Sequence, residues 1–219
     1  MQPIVITAHL SNGFASSDRW SPSIDGILAY WHMKSVLTDA EFAHGCGDSS
    51  NSAEIKSLPI MIESDGFDWW YQCSSPIFDV AAVNISHFHR RFDSLHAERW
   101  MKKKRGRVQV QTGQHKNTRV SVSTTITDRI MWFVNGDRDR IMTLLENCEH
   151  VGLRRGSGNG NVKRWDVSSG GESNDRAHFY RPLPVDFAKN NNVTGPVTHW
   201  GYRPNARDNR NRTACVMPC

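Results

Sequence analysis

Residues 150–167 read HVGLRRGSGNGNVKRWDV, with Gly152, Gly156, Gly158 and Gly160 crowded around Arg154 and Arg155. Consecutive glycines let backbone N–H groups point outward as an anion-binding nest, and two attached arginines suit an extended phosphate backbone. The phosphate loop of nucleotide hydrolases, G-x-x-x-x-G-K-[ST], is excluded, because no Lys-Ser or Lys-Thr follows a glycine here. The dinucleotide fingerprint runs from a strand into a helix, whose N-terminal amides hold a pyrophosphate. Here the order is reversed. Ile141, Leu144, Leu145 and Cys148 recur with helical period before the loop, and residues 161–167 alternate as a strand after it. The candidate contacts on this loop are Arg154, Arg155, Gly156, Gly158, Asn159 and Gly160.

A second cluster lies upstream. Between His87 and Arg107 there are eight Lys or Arg residues against Asp93 and Glu98. Arg90, Arg91, Lys102, Lys103, Lys104, Arg105 and Arg107 are candidate phosphate contacts, with His115 and Lys116 on the turn that follows. His87, Phe88, His89, Phe92 and Trp100 are interleaved with these charges, a pattern that suits single-stranded RNA. Phe88, Phe92 and Leu95 have helical spacing and read as packing; Tyr30 and Trp31 also read as structural. Arg203 to Arg212 contributes four more arginines against Asp208. Cys215 and Cys219 with His199 give one close pair where a zinc site normally needs two, so no metal and no cofactor is expected.

The chain has 219 residues, enough for one domain of ordinary core size or a core with a large insertion. Its net charge is +5 and its pI about 9.1, which favours a polyanionic partner. Acidic residues concentrate in 39–79 instead. No stretch approaches the roughly 20 apolar residues of a membrane span, and the start lacks the pattern of a secretory signal. Five scattered cysteines fit reduced thiols in the cytoplasm.

Along the chain, residues 4–10 read as a buried strand. Ser21-Pro22 reads as a cap opening a helix that runs to about Leu37, and 38–57 as loop. Residues 58–62 and 68–73 read as strands facing each other across Ser64-Asp65-Gly66. The basic segment 87–104 is predicted helical. It leads into a ribbon of 107–112 and 118–124, whose valines alternate with polar residues. Residues 126–134 read as a central strand, 137–148 as the second helix, and 168–219 as irregular. Without the 74–124 excursion the order is β-α-β(β)-β-α-β, an α+β, ferredoxin-like (RRM-like) core with one sheet face under two helices.

A ferredoxin-like core whose second helix is followed by V-G-x-x-R-x-x-G-x-G-x-V resembles the RAMP superfamily of CRISPR proteins; here Val151 to Val162 carries that pattern. The stretch Ser23 to Trp31, SIDGILAYW, resembles the LDGLLAY helix of one branch. That branch is the small subunit of type IV effector complexes, which caps the 5′ handle of the guide RNA. The resemblance covers residues 1–170. It implies a non-catalytic subunit that grips the handle and contacts neighbouring backbone and large subunits through a thumb, for which 74–124 is the candidate. The extension 171–219 matches nothing in the family, and contact with target DNA rests on its charge alone.

Two other classes stay open. A metal-independent endoribonuclease would use a His, Tyr or Lys as base on a 2′-hydroxyl, and His87, His89 and His115 lie in the basic insertion. A generic basic RNA-binding domain would bind by charge without reading the handle. If residues 102–107 contact phosphates, neutralising Lys103 and Arg105 flattens the dependence of log K on log salt for RNA binding. An unaltered slope places that cluster away from RNA.

Overall fold

Four apolar residues at alternate positions, Ile4, Ile6, Ala8 and Leu10, bury one face of the first strand, β1 (Gln2–Leu10). The computed structural model describes residues 1–39, 42, 56–66, 68–93, 111–112, 115–170, 177–206 and 208–218. After β1 come β2 (Phe14–Ala15), α1 (Ile24–Val36), β3 (Ile62–Ser64), β4 (Trp69–Tyr71), β5 (Ala82–Arg90), β6 (Thr118–Ile126) and β7 (Arg129–Gly136). Then follow α2 (Arg138–Leu145), β8 (Val162–Ser169), β9 (Leu183–Pro184), α3 (Val185–Asn190), β10 (Val197–Gly201) and β11 (Arg212–Val216).

β1 is the centre of the main sheet, with β7 and β8 antiparallel on either side. Beyond β7 the chain from 60 to 77 adds an irregular outer row, bridging Ile60 to Gly136, Cys73 to Val134 and Ile77 to Met131. Helices α1 and α2 contribute Ile24, Leu28, Ile141 and Leu145 to one core with β1 and β7. The Asp137 carboxylate accepts from the Arg140 amide at 3.2 Å and caps α2, as its place before the apolar period predicts. The architecture is α+β with mostly antiparallel sheets. Among the described residues no helix is long and apolar enough to cross a membrane.

Several boundaries differ from the sequence reading. Helix α1 starts after Ser23 rather than at Ser21-Pro22. β3 and β4 do face each other across Asp65-Gly66, but the first strand starts at Ile62 rather than Leu58. The 126–134 run is split, since Ile126 ends β6 and β7 begins at Arg129.

The larger correction concerns the insertion. Residues 87–90 are not helical: they end β5, which pairs over nine residues with β6, from Ala82 opposite Ile126 to Arg90 opposite Thr118. The strand 118–124 pairs with 82–90, and residues 107–110 of the expected ribbon lie outside the described residues. The apolar spacing that suggested a helix belongs to two separate contacts. Phe88 lies on the inner strand face, whereas Phe92 meets His115 beyond the strand, with ring centroids 4.8 Å apart and the planes tilted by 56°. The Phe92 amide donates to the Asn117 side chain at 3.1 Å and ties the two strand ends together. Residues 94–110, with Trp100 and Lys102 to Arg107, lie outside the described residues.

The C-terminal region is also not irregular. β9, β10 and β11 form a second antiparallel sheet in the order β10-β11-β9, with α3 beside it. Leu183, Phe187, Tyr202, Cys215, Val216 and Met217 close a second core, and Trp70 reaches into it from β4. The polar composition hid this unit because its strands are short and its apolar residues are widely spaced.

One buried cation joins the two parts. The Arg181 guanidinium pairs with Asp25 of α1 at 3.0 Å, and it also donates to the carbonyls of Tyr71, Cys73 and Tyr202. Removing one partner leaves an uncompensated charge in the interior, which costs about 3–5 kcal/mol. Arg181→Met therefore lowers the thermal midpoint by roughly 10 °C, and the double variant with Asp25→Asn loses less than the sum of the single ones; simple additivity would show that the pair is not coupled.

Burial pushes the Cys73 thiol up to about 12, against the pull of Arg181, and the Cys215 thiol up to about 11. Cys148 is raised by the same cause. A native chain at pH 8 therefore reacts with a thiol reagent at no more than two of its five cysteines before unfolding. The folded state holds the Cys73 proton more tightly than the unfolded chain does. That stabilisation is complete below about pH 9 and is lost as pH rises toward 12. Fast labelling of Cys73 would contradict this.

Candidate nucleic-acid interface

The glycine loop is anchored at its base and open at its tip. Leu153 donates from its amide to the Ala15 carbonyl at 2.8 Å, and Gly160 donates to Gly13 at 2.9 Å. Gly160 is buried with φ +69, and a Cβ there would lie 1.8 Å from the Val151 carbonyl oxygen. Its glycine is a packing requirement. Gly158 has φ +81 with nothing within 4 Å of a Cβ position, so only backbone conformation demands glycine at the exposed tip.

Sequence reasoning assigned the outward amides of this loop to an anion. The structure uses several of them internally: Ser157 donates to Arg154, Gly158 to Arg155 and Gly160 to Gly13. The short 3-10 turn Arg155–Ser157 closes the tip on itself. The donors left open at the tip are mainly those of the arginine side chains.

Those side chains are placed by aromatic rings from two other elements. Arg154, in the left-handed region with φ 56, sets its guanidinium 5.8 Å from the Phe88 ring of β5. Arg155 lies 5.3 Å from the Tyr30 ring of α1. A guanidinium over a ring face keeps its edge N–H donors available. Among the described residues, neither arginine is paired with a carboxylate. Thr124 of β6 donates to the Asn159 side chain at 3.4 Å, so the loop leans on the inner face of the β5–β6 hairpin.

Strand alternation distributes the other candidates. Arg90 follows Phe88 by two residues and shares its face, about 7 Å further along. Arg154, Phe88 and Arg90 thus form one row. Arg91 lies just past the strand, and His115 and Lys116 just before β6, all exposed. His87 and His89 project to the opposite face, where His87 meets Ser121 at 3.2 Å.

Beside the loop, between α1 and the second sheet, opens a cleft of 530 Å³. Its rim carries Arg155, Arg203 and Arg212, and its walls include Trp20, Tyr30 and Trp200. Trp20 and Trp200 meet edge to face at 5.5 Å. The four tail arginines of the sequence are not equivalent. Arg210 is bound to Asp208 at 2.6 Å, whereas Arg203 and Arg212 reach the cleft, and Arg207 lies outside the described residues. Sequence reasoning read Tyr30 and Phe88 as packing and did not single out Trp20 or Trp200. Their partners are over fifty residues away in the chain, and no local pattern marks them.

Comparison with known proteins gives three findings. No curated protein matches. One chain of a solved structure, the "Cryo-EM structure of the Type III-B Cmr-beta bound to cognate target RNA", aligns over 77% of this chain with 9% identity and a TM-score of 0.32. The aligned part is 62% of that chain, so this chain spans less than two thirds of it. The family described as CRISPR type IV associated protein Csf3 matches residues 2–213, nearly the whole length. On that match, the chain belongs to the Csf3 family of type IV CRISPR-associated proteins.

Proposed function

We propose that this protein is a non-catalytic guide-RNA-binding subunit of a type IV CRISPR ribonucleoprotein. In this reading it acts in the cytoplasm and holds the 5′ handle of the guide. The observation that carries the proposal is the glycine-loop tip. Two arginines with no carboxylate partner among the described residues stand there on Tyr30 and Phe88, each fixed from a different element.

The sheet order β8-β1-β7, with 60–77 as an outer row and two helices on one face, fits a ferredoxin-like core of the RAMP kind. The β5–β6 hairpin, within the span 74–124, is the thumb of this reading. Its outer face exposes Val83 at 58% and Ile85 at 61%, apolar area suited to covering by a neighbouring backbone or large subunit. The described part of the extension 171–219, from 177 onward, closes the cleft beside the loop, and contact with target DNA through its arginines belongs to the same proposal.

The non-catalytic reading rests on the placement of the histidines. His87 and His89 face away from Arg154, while a base for 2′-hydroxyl attack must sit within hydrogen-bond reach of a phosphate held by those cations. Of the described histidines of the insertion, His87 and His89 lack such a pairing with Arg154, and His115, exposed beside Lys116, is the base that the cleavage test addresses.

Incubating the purified chain with labelled repeat RNA in EDTA tests both halves. A shift that weakens when handle bases are changed, with the RNA intact, is the expected result; defined cleavage would overturn the non-catalytic reading. Arg154→Gln with Arg155→Gln lowers affinity at least tenfold and reduces the salt slope by about 1.4, at about 0.7 per single-strand phosphate. An unchanged slope would move the handle off the loop.

A further inference from the structure

The cleft beside the glycine loop has features that the loop alone does not explain. Its volume of 530 Å³ falls within the range of about 300–1,000 Å³ typical of small-molecule sites. Of the charged residues lining it, Asp25 is taken by Arg181. That leaves Arg155, Arg203 and Arg212 against Asp18 alone.

Two buried donors in the lining lack acceptors. Among the described residues, the Trp20 indole N–H has no hydrogen-bond partner, and neither has the Arg181 Nε–H. Arg181 is only 5% exposed, and its other donors are committed to Asp25 and three backbone carbonyls. Buried donors are rarely left unpaired, and a bound acceptor is one way to satisfy them. Aromatic walls, an arginine rim and unpaired donors together describe a site for a flat, acceptor-bearing ring attached to an anion.

We propose that this cleft receives one nucleotide extruded from the bound single-stranded RNA. Its base lies against Trp20 and Trp200, and its phosphate meets Arg155 and Arg203. The site rests on the RNA-binding reading above and adds a base-reading pocket to it. Arg155 joins the two, because it stands on Tyr30 between the loop tip and the cleft rim. The loop tip holds backbone and carries no sequence information, whereas a pocket closed around a base edge can. The second sheet is part of the site, since Trp200 and Arg212 lie on its strands and Arg203 on the loop that joins them.

The test uses the full chain and a series of repeat RNAs, each with one abasic nucleotide. One position is expected to stand out, costing roughly 5- to 150-fold in affinity, the range of one stacked base. Trp20→Leu loses a similar factor on intact RNA and becomes indifferent to that position. Arg212→Gln, at the rim and away from the second core, weakens binding to intact RNA and shrinks the penalty at the same position if Trp20→Leu does not fold. A flat abasic profile in the wild type, or a penalty that persists unchanged in the variants, would overturn the pocket.

A second arm titrates AMP, GMP, CMP and UMP at millimolar concentrations by tryptophan fluorescence. Quenching that is lost in Arg212→Gln, in a chain that binds no RNA, would keep a nucleotide site while refuting both the RNA reading and RNA as the occupant. Tight mononucleotide binding that repeat RNA does not displace would likewise refute RNA as the occupant. No quenching together with a flat abasic profile would remove the site.

Discussion

An arginine taken out of water must find an acceptor for each donor and a counter-charge for the whole. Arg181 nearly meets that demand with Asp25 of the first helix and with carbonyls from β4, from the segment after it and from the second sheet. The desolvation cost of such a pair offsets much of its Coulomb attraction, so its net contribution to stability is modest. Its geometric consequence is larger. The guanidinium has one position in which these partners can all be reached, and that position fixes the second sheet against the helix α1. Together with Trp70 in the second core and the Trp20–Trp200 contact, it holds Trp20, Trp200, Tyr30 and the arginines of the rim in their relative places.

The glycine loop depends on a different kind of closure. Its base is held by backbone bonds to Gly13 and Ala15, and its tip by two arginines lying over rings. Helix α1 and the hairpin strand β5 supply those rings. The loop therefore reports the positions of both neighbours, and a displacement of either moves an arginine. A cation held in this way keeps its edge donors free and loses little entropy on meeting a phosphate.

Much of the core was legible because it is local. An apolar run marked β1, alternation marked β8, the apolar period marked α2, and Gly152 to Gly160 marked the turn between α2 and β8. The hairpin was misread because Phe88 and Phe92 fall at helical spacing by coincidence; backbone pairing with residues thirty or more positions away overrode it. The second sheet was missed for a different reason. Its strands are only two to five residues long, too short to show a period, and its apolar residues are widely spaced. In the site, the arginines were found by composition. Their aromatic supports were not, since nothing near Tyr30 or Phe88 in sequence indicates a cation above it.

The pairing of Asp25 with Arg181 also orders events in time. The two are separated by 156 positions, and closing a loop of that length carries a large entropic cost before any contact repays it. During synthesis from the N-terminus, α1 emerges with a carboxylate that has no cation to meet until nearly the whole chain has been made. Its first turn must stay hydrated over that interval. The face of the molecule that carries the cleft is therefore assembled last.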